Sequence, residues 1–239
     1  MININGIVLK RVPFRDHDAI ISIVTPERMF SFLARGVDKI TSKNTFSVSP
    51  YSLSNFELMK TKEGLSLKTG KLINSYSHAK DNLDTLAVLD FISEITFRLL
   101  EDGDYPSLFE SIKKILELLD QGFHPKTLAI IYFATILNAA GYGWNVDSCQ
   151  KCGSKASIVA INPQRGGFIC RECFEAGNGV KLTPRELNIL RYIFKVTPNL
   201  YEKTSFINEE CTKVISILDH FVLDIVDIQL KSTKLLIKL

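Results

Sequence analysis

A chain of 239 residues, 46% hydrophobic and 23% charged, is long enough for one large or two modest domains with real cores. No basic segment leads into an apolar run with a small-residue cleavage site, and the longest apolar stretches, such as residues 128–137, fall short of the ~18 that a membrane helix needs; a soluble, cytoplasmic protein is expected. The net charge of +3 is uneven: residues 1–80 carry 12 Lys and Arg against 6 Asp and Glu, residues 81–239 carry 17 against 20, so a basic N-terminal third suggests a polyanionic partner.

From Asn5 to about Ser77 the pattern is that of strands. Segments 6–14, 19–26, 29–37, 51–61 and 65–76 are rich in Ile, Val, Phe and Thr, with turn pairs at Pro26-Glu27 and Glu63-Gly64. Five short strands with no room for crossover helices predict a small antiparallel barrel over residues 1–78. An OB-fold β-barrel is the first candidate and an SH3-like barrel its rival. Cationic side chains concentrate here: Lys10, Arg11, Arg15, Arg28, Arg35, Lys39 and Lys43. The last three lie in a loop after a strand, where Gly36 allows close approach. Single-strand binders pair such charge with aromatic faces, and Phe14, Phe30, Phe32, Phe46, Tyr51 and Phe56 are available. Phe30 and Phe32 share a face, for which core packing is the expected fate.

After Ser77 the period changes. Leu83, Leu86, Leu89, Ile92 and Leu99 fall at helical spacing, as do Leu108, Ile112, Ile115 and Leu119. A third helix over 125–140, apolar almost all round, should stop at Gly141 and lie centrally. Thr183, Pro184 and Glu186 form the start signal of another helix, Thr183 capping and Glu186 reaching back. A last helix is expected over about 208–230. The expected class is α+β, with a helical domain at 79–239 following the barrel.

Within that second domain, Cys149-x2-Cys152 and Cys170-x2-Cys173 are separated by 17 residues. Two thiolates three positions apart on a tight turn bind one Zn²⁺ from one side, and a second such turn completes a tetrahedron. Residues 157–162 and 167–169 read as strands joined by 163–166, so the segment at about 145–178 is expected to be a four-cysteine zinc ribbon. A redox pair would need one reactive Cys-x-x-Cys at a helix start. A catalytic zinc would need an open position, which four thiolates do not leave. His17, His78, His124 and His220 are scattered without ligand spacing. The zinc is therefore read as structural. Cys211 sits on a helical apolar stripe and reads as a small buried hydrophobe. No P-loop, nuclease-type acidic cluster or His-Glu-x-x-His occurs, and an enzyme is not expected.

The ordered combination is more specific than its parts. Gly6-Ile7-Val8-Leu9, then Asp18 to Thr25, Ala34-Arg35-Gly36 with its basic loop, Gly141-Tyr142 before Cys149, and Gly166-Gly167-Phe168-Ile169-Cys170 together resemble the bacterial RecO family of recombination mediators, along essentially the whole chain. The resemblance implies an N-terminal OB-fold and a helical C-terminal domain that carries a four-cysteine zinc module in many members. It implies binding to single- and double-stranded DNA, strand annealing, and engagement of the single-strand-binding protein. It also implies help, with RecR and sometimes RecF, in loading RecA during DNA repair, in the cytoplasm at the nucleoid. Cys149, Cys152, Cys170 and Cys173 carry over as zinc ligands, and Arg35, Lys39 and Lys43 as DNA contacts; Arg11 and Arg15 rest on charge alone. The loop departs from the family's Gly-x-Arg/Lys-Arg/Lys cluster: it is thinner, and Asp38 places an acid inside it. The alternative reading is a zinc-ribbon interaction adaptor in which DNA binding is incidental.

Overall fold

A computed structural model describes residues 1–100, 102–177 and 179–238; the expected module limit at 178 and the C-terminal residue 239 lie outside them. The chain forms two compact units, one from residues 1–81 with 104–122, the other from 82–103 with 123–239.

The first unit is built on five strands: β1 (Ile2–Phe14), β2 (Asp18–Val24), β3 (Met29–Ala34), β4 (Leu53–Thr61) and β5 (Gly64–Asn74). They close into a barrel in the order β1-β2-β3-β5-β4, with β1 also pairing β4. All pairings are antiparallel except β3 with β5, which meet in parallel at Leu33 and Ser66. This order is that of the OB-type barrel. Alternation puts Ala19, Ile21, Ile23, Phe32, Ala34, Phe56 and Leu58 inside, all but removed from water, and their burial is the main force holding the sheet closed. Phe32 packs on Phe56 with ring centroids 5.2 Å apart, and the half-buried Phe30 lies against the same core.

Residues 35–52, between β3 and β4, form successive turns and no helix. Val37 and Val48 nonetheless belong to the barrel core, each fully buried, so this connection plugs the barrel rather than trailing over it. It is also stitched to β5. Asn44 Oδ1 accepts from the Gly70 N–H at 3.0 Å, and Ser47 Oγ donates to the Asn44 carbonyl at 2.8 Å. Gly70 leaves no room for a side chain: a Cβ there would stand 2.1 Å from Ser47 Oγ. After the barrel come a short 3-10 helix, His78–Lys80, and α2 (Tyr105–Asp120). Asp120 Oδ1 accepts from the Ala79 N–H. Burial, with Glu117 and Asp120 nearby, pushes the Tyr76 hydroxyl up to about 12.

The second unit holds α1 (Leu83–Leu99), α3 (Pro125–Ala139), α4 (Pro184–Ile193), α5 (Asn208–Val226) and α6 (Thr233–Lys238). Asn82 caps α1 by accepting from the Thr85 N–H at 2.9 Å. Helix α3 is buried on every side from Lys126 to Ala134, as its composition predicts, and Gly141 follows it at φ +83. The box at α4 forms as expected: Glu186 accepts from the Thr183 N–H at 2.8 Å while Thr183 Oγ1 accepts from the Glu186 N–H at 3.3 Å. The last predicted helix differs. It stops at Val226, where Asp227 takes a left-handed cap at φ +58, and a separate α6 follows. Glu94 of α1 accepts from the backbone N–H groups of Lys231 and Ser232 and from the Ser232 hydroxyl, which fixes the start of α6. No helix among the described residues is long and apolar enough to cross a membrane.

Gly70→Ala is expected to lower the unfolding free energy by about 1–3 kcal/mol, as overpacking does, read as a lower urea midpoint. If Ser47 is the obstacle, the loss in Gly70→Ala with Ser47→Gly will be smaller than the sum of the two single losses.

Candidate functional site

The cysteine segment folds as the spacing predicts, with one addition. Strands β6 (Ile158–Asn162) and β7 (Gly167–Cys170) pair antiparallel through a 3-10 turn, Pro163–Arg165. A two-residue strand, β8 (Val180–Lys181), adds to the free edge of β6. Each Cys-x-x-Cys lies on a tight turn. The Gly153 N–H donates to the Cys149 carbonyl at 2.8 Å with Gly153 at φ +75, and the Cys173 N–H donates to the Cys170 carbonyl at 3.2 Å. The turns bring all four Sγ atoms within 4.8 Å of one another. All four thiols are free, and Cys152 Sγ lies 3.7 Å from Cys170 Sγ. That separation is far from a disulfide bond. It matches the edge of a tetrahedron with Zn–S bonds of ~2.3 Å, which is roughly 3.8 Å. Burial raises the Cys149 thiol, but backbone N–H groups of Cys170, Cys152 and Lys151 outweigh it and hold it at about 6. The Cys173 thiol is pushed up to about 12, chiefly by the Cys152 thiol beside it. Four thiols thus crowd a space that suits one divalent cation. The cluster is able to hold a metal ion.

The ribbon is anchored by a residue the sequence did not mark. Trp144, just before the first cysteine pair, is buried, stacks on Phe194 at 5.5 Å and meets Phe221 of α5 edge-on at 5.3 Å. On its other side it touches the turn at Gly166, where an added Cβ would come within 2.8 Å of the indole. Arg191 of α4 lies over the Phe168 ring and donates to the Val146 carbonyl. A lone Trp in a sequence announces burial but not its partners. Cys211 is buried apart from the tetrad, its thiol raised to about 11 by burial.

The second candidate site is one end of the barrel. The turn between β1 and β2, the turn between β4 and β5, and the start of the β3–β4 connection all meet there. The Gly36 N–H donates to Asp18 Oδ1 at 2.8 Å, the Asp38 N–H donates to the His17 carbonyl at 3.1 Å, and Arg35 pairs with Glu63 at 3.2 Å. The barrel thus draws Arg11, Arg15, Arg35 and Lys39 towards one end. They are not equivalent. Arg11 is largely covered and ion-paired with Asp38, the acid within the loop. Arg35 is exposed, as is its partner Glu63. Arg15, at φ +59, sets its guanidinium 5.0 Å from the centre of the Phe14 ring. Lys39 and Lys43 are exposed, and among the described residues neither enters an ion pair. Lys43 lies further along, next to the Asn44–Gly70 clip.

Beside these cations lies a groove of about 360 Å³, lined by Phe14, Arg15, Ile20, Phe32, Leu33 and Leu65 with Ser31, Glu63 and Gly64. It occupies the β2–β3 face between the β1–β2 and β4–β5 turns, where OB barrels take oligonucleotides. Ile20 and Leu65 had no functional signal. In the run Ala19-Ile20-Ile21-Ser22-Ile23, strict alternation alone marks Ile20 as facing outward.

The fold and its sites define a class: an OB-type barrel with a cationic end, joined to a helical body carrying a four-cysteine ribbon. Residues 1–76 match the family described as recombination protein O, N terminal, and residues 80–234 match recombination protein O, C terminal. Three curated proteins named DNA repair protein RecO are similar to the chain. That of Clostridium acetobutylicum is 30% identical, covering 80% of this chain and 78% of its own. That of Mycoplasma mycoides is 29% identical over 92% and 89%, and that of Bacillus subtilis is 24% identical over 97% and 92%. The chain belongs to the recombination protein O (RecO) family, whose members are non-enzymatic recombination mediators.

The thiol tetrad is expected to take up one equivalent of Zn²⁺ per chain with release of protons, because the ligating sulfurs must be deprotonated. Zinc titration of the reduced protein with a pH indicator would read both quantities. Less than half an equivalent in the parent chain, or an unchanged affinity and proton release in Cys149→Ser, would remove the tetrad as the site.

Proposed function

We propose that the protein is a DNA-binding recombination mediator. It grips single- and double-stranded DNA at the cationic end of the barrel, anneals complementary strands, and engages the single-strand-binding protein. With RecR, and sometimes RecF, it assists RecA loading in repair. The single observation that carries this reading is the meeting of cations and an apolar groove on the OB face that suits oligonucleotides. Family membership supports the same conclusion. Annealing needs no nucleophile: cationic side chains reduce the repulsion between phosphates, and base pairing supplies the driving force. Arg35, Lys39 and Lys43 are the proposed phosphate contacts, joined by Arg15 at the groove and, less directly, Arg11. A structural Zn²⁺ held by Cys149, Cys152, Cys170 and Cys173 would tie the ribbon's two turns together, and four thiolates leave it no position for a substrate.

One observation favours the adaptor alternative. Arg11 and Arg35, two of the five proposed contacts, are engaged by Asp38 and Glu63. For Arg35 the objection is weak. Exposed pairs contribute about 0–1 kcal/mol, so a phosphate can displace Glu63. Arg11 is better read as a support that holds Asp38 and so orders the loop.

Two consequences follow for DNA binding. Affinity for single strands should fall as salt rises, with a logarithmic slope of about 0.7 for each phosphate neutralised. The double variant Arg35→Glu with Lys39→Glu should bind and anneal more weakly, show a shallower slope, and melt at the parent's temperature. Binding indifferent to salt, or full annealing by that variant, would move the site away from this loop.

A further inference from the structure

The β3–β4 connection presents two large apolar side chains to solvent, Ile40 and, at 74% exposure, Phe46, and the residues flanking Phe46 are tied down. Single exposed apolar residues are common and need no explanation by themselves. Phe46 differs in how its neighbours are held. On one side, Asn44 accepts from Gly70, and the Thr45 hydroxyl donates to the Val37 carbonyl at 2.8 Å. On the other, Ser47 and Val48 are buried, and the Ser49 N–H donates to the Phe46 carbonyl at 3.3 Å. Val37 and Val48 occupy the barrel core, while the Phe46 ring stays outside it. It is an exposed aromatic face on a cationic loop whose backbone is held on both sides, with Lys43 three residues before it and no ion pair on that lysine among the described residues.

An exposed ring and an exposed ammonium three residues apart on one loop are the residue types that recognise an unstacked base and its phosphate. We infer that Phe46 is a stacking platform for an unpaired base of single-stranded DNA, with Lys43 holding an adjoining phosphate. This deepens the proposed function and rests on it. The ring selects by strandedness: bases within a duplex already have both faces covered, while those of a single strand do not. Stacking is not an ionic contact, so the ring adds affinity without adding to the salt dependence.

The test uses the full chain with Phe46→Ala, Phe46→Leu and Phe46→Trp. Binding is measured by fluorescence anisotropy to an oligothymidylate, to an abasic strand of the same length, and to a duplex. Phe46→Ala is expected to weaken oligothymidylate binding roughly five- to hundredfold, the loss typical of one stacked base. Its salt slope, its duplex affinity and its melting temperature should match the parent's. Phe46→Trp should bind like the parent, and its added exposed indole should be quenched by oligothymidylate and not by the abasic strand. Phe46→Leu should behave like Phe46→Ala, because it keeps apolar area and loses the aromatic face. Rescue by Leu, or loss of self-association in Phe46→Ala with DNA binding intact, would overturn the platform in favour of a protein contact. If Phe46→Ala binds normally while the Arg35→Glu, Lys39→Glu pair does not, the platform fails and the proposed function stands. If neither changes binding, both fail.

Discussion

The β3–β4 connection has no regular structure of its own, so it depends on two valines, Val37 and Val48, sunk into the barrel core. Their burial removes the freedom that a turn-rich segment of this length would otherwise keep. Everything cationic on the loop inherits its position from them. Gly36 and Asp38 are drawn against the β1–β2 turn, and Asn44 and Ser47 are drawn against β5. A flexible cationic loop would have to be ordered on meeting a polyanion; one plugged into a hydrophobic core is ordered already.

The acids in this region serve that positioning. Asp18 and Asp38 sit among the cations and lower the local charge, which a count of residues reads as a weakness. In the fold, Asp18 receives a backbone N–H and Asp38 holds Arg11. Both therefore act on the loop's shape as much as on its potential. Glu63 is different: it is exposed and its carboxylate meets the equally exposed Arg35, an arrangement that an incoming phosphate can replace.

In the second unit the same division of labour appears around the ribbon. Its core is small, with Cys149, Ala160, Ile169 and Cys170 as the buried members, too little to hold a sheet of short strands by hydrophobic burial. A metal ion held by the four thiols would answer that deficit. Trp144 answers a second one, since its indole joins the turn at Gly166 to the helices at Phe194 and Phe221. The ribbon thus needs a bond within itself and a hydrophobic bolt to its support.

How much was legible in the sequence depended on the range of the interaction. Strand alternation, the all-round apolar helix at Pro125–Ala139, the Thr183 capping box and the two Cys-x-x-Cys turns are set by neighbours a few residues apart, and all formed where the pattern placed them. The α5–α6 break is not marked in the sequence, because Val226, Ile228 and Leu230 continue the apolar content. Helix α5 stops at the left-handed cap of Asp227, and Glu94, 137 residues away from Lys231, fixes the start of α6. The sequence by itself determined the barrel, the helical body and the thiol tetrad, because periodicity and ligand spacing are local. Only the tertiary structure decided which cations meet at one barrel end, which acids hold them, that Ile20 and Leu65 line a groove, and that Phe46 stays outside. Those outcomes turn on pairings across the closed sheet, where a residue's neighbours are fixed by strand order and not by its place along the chain.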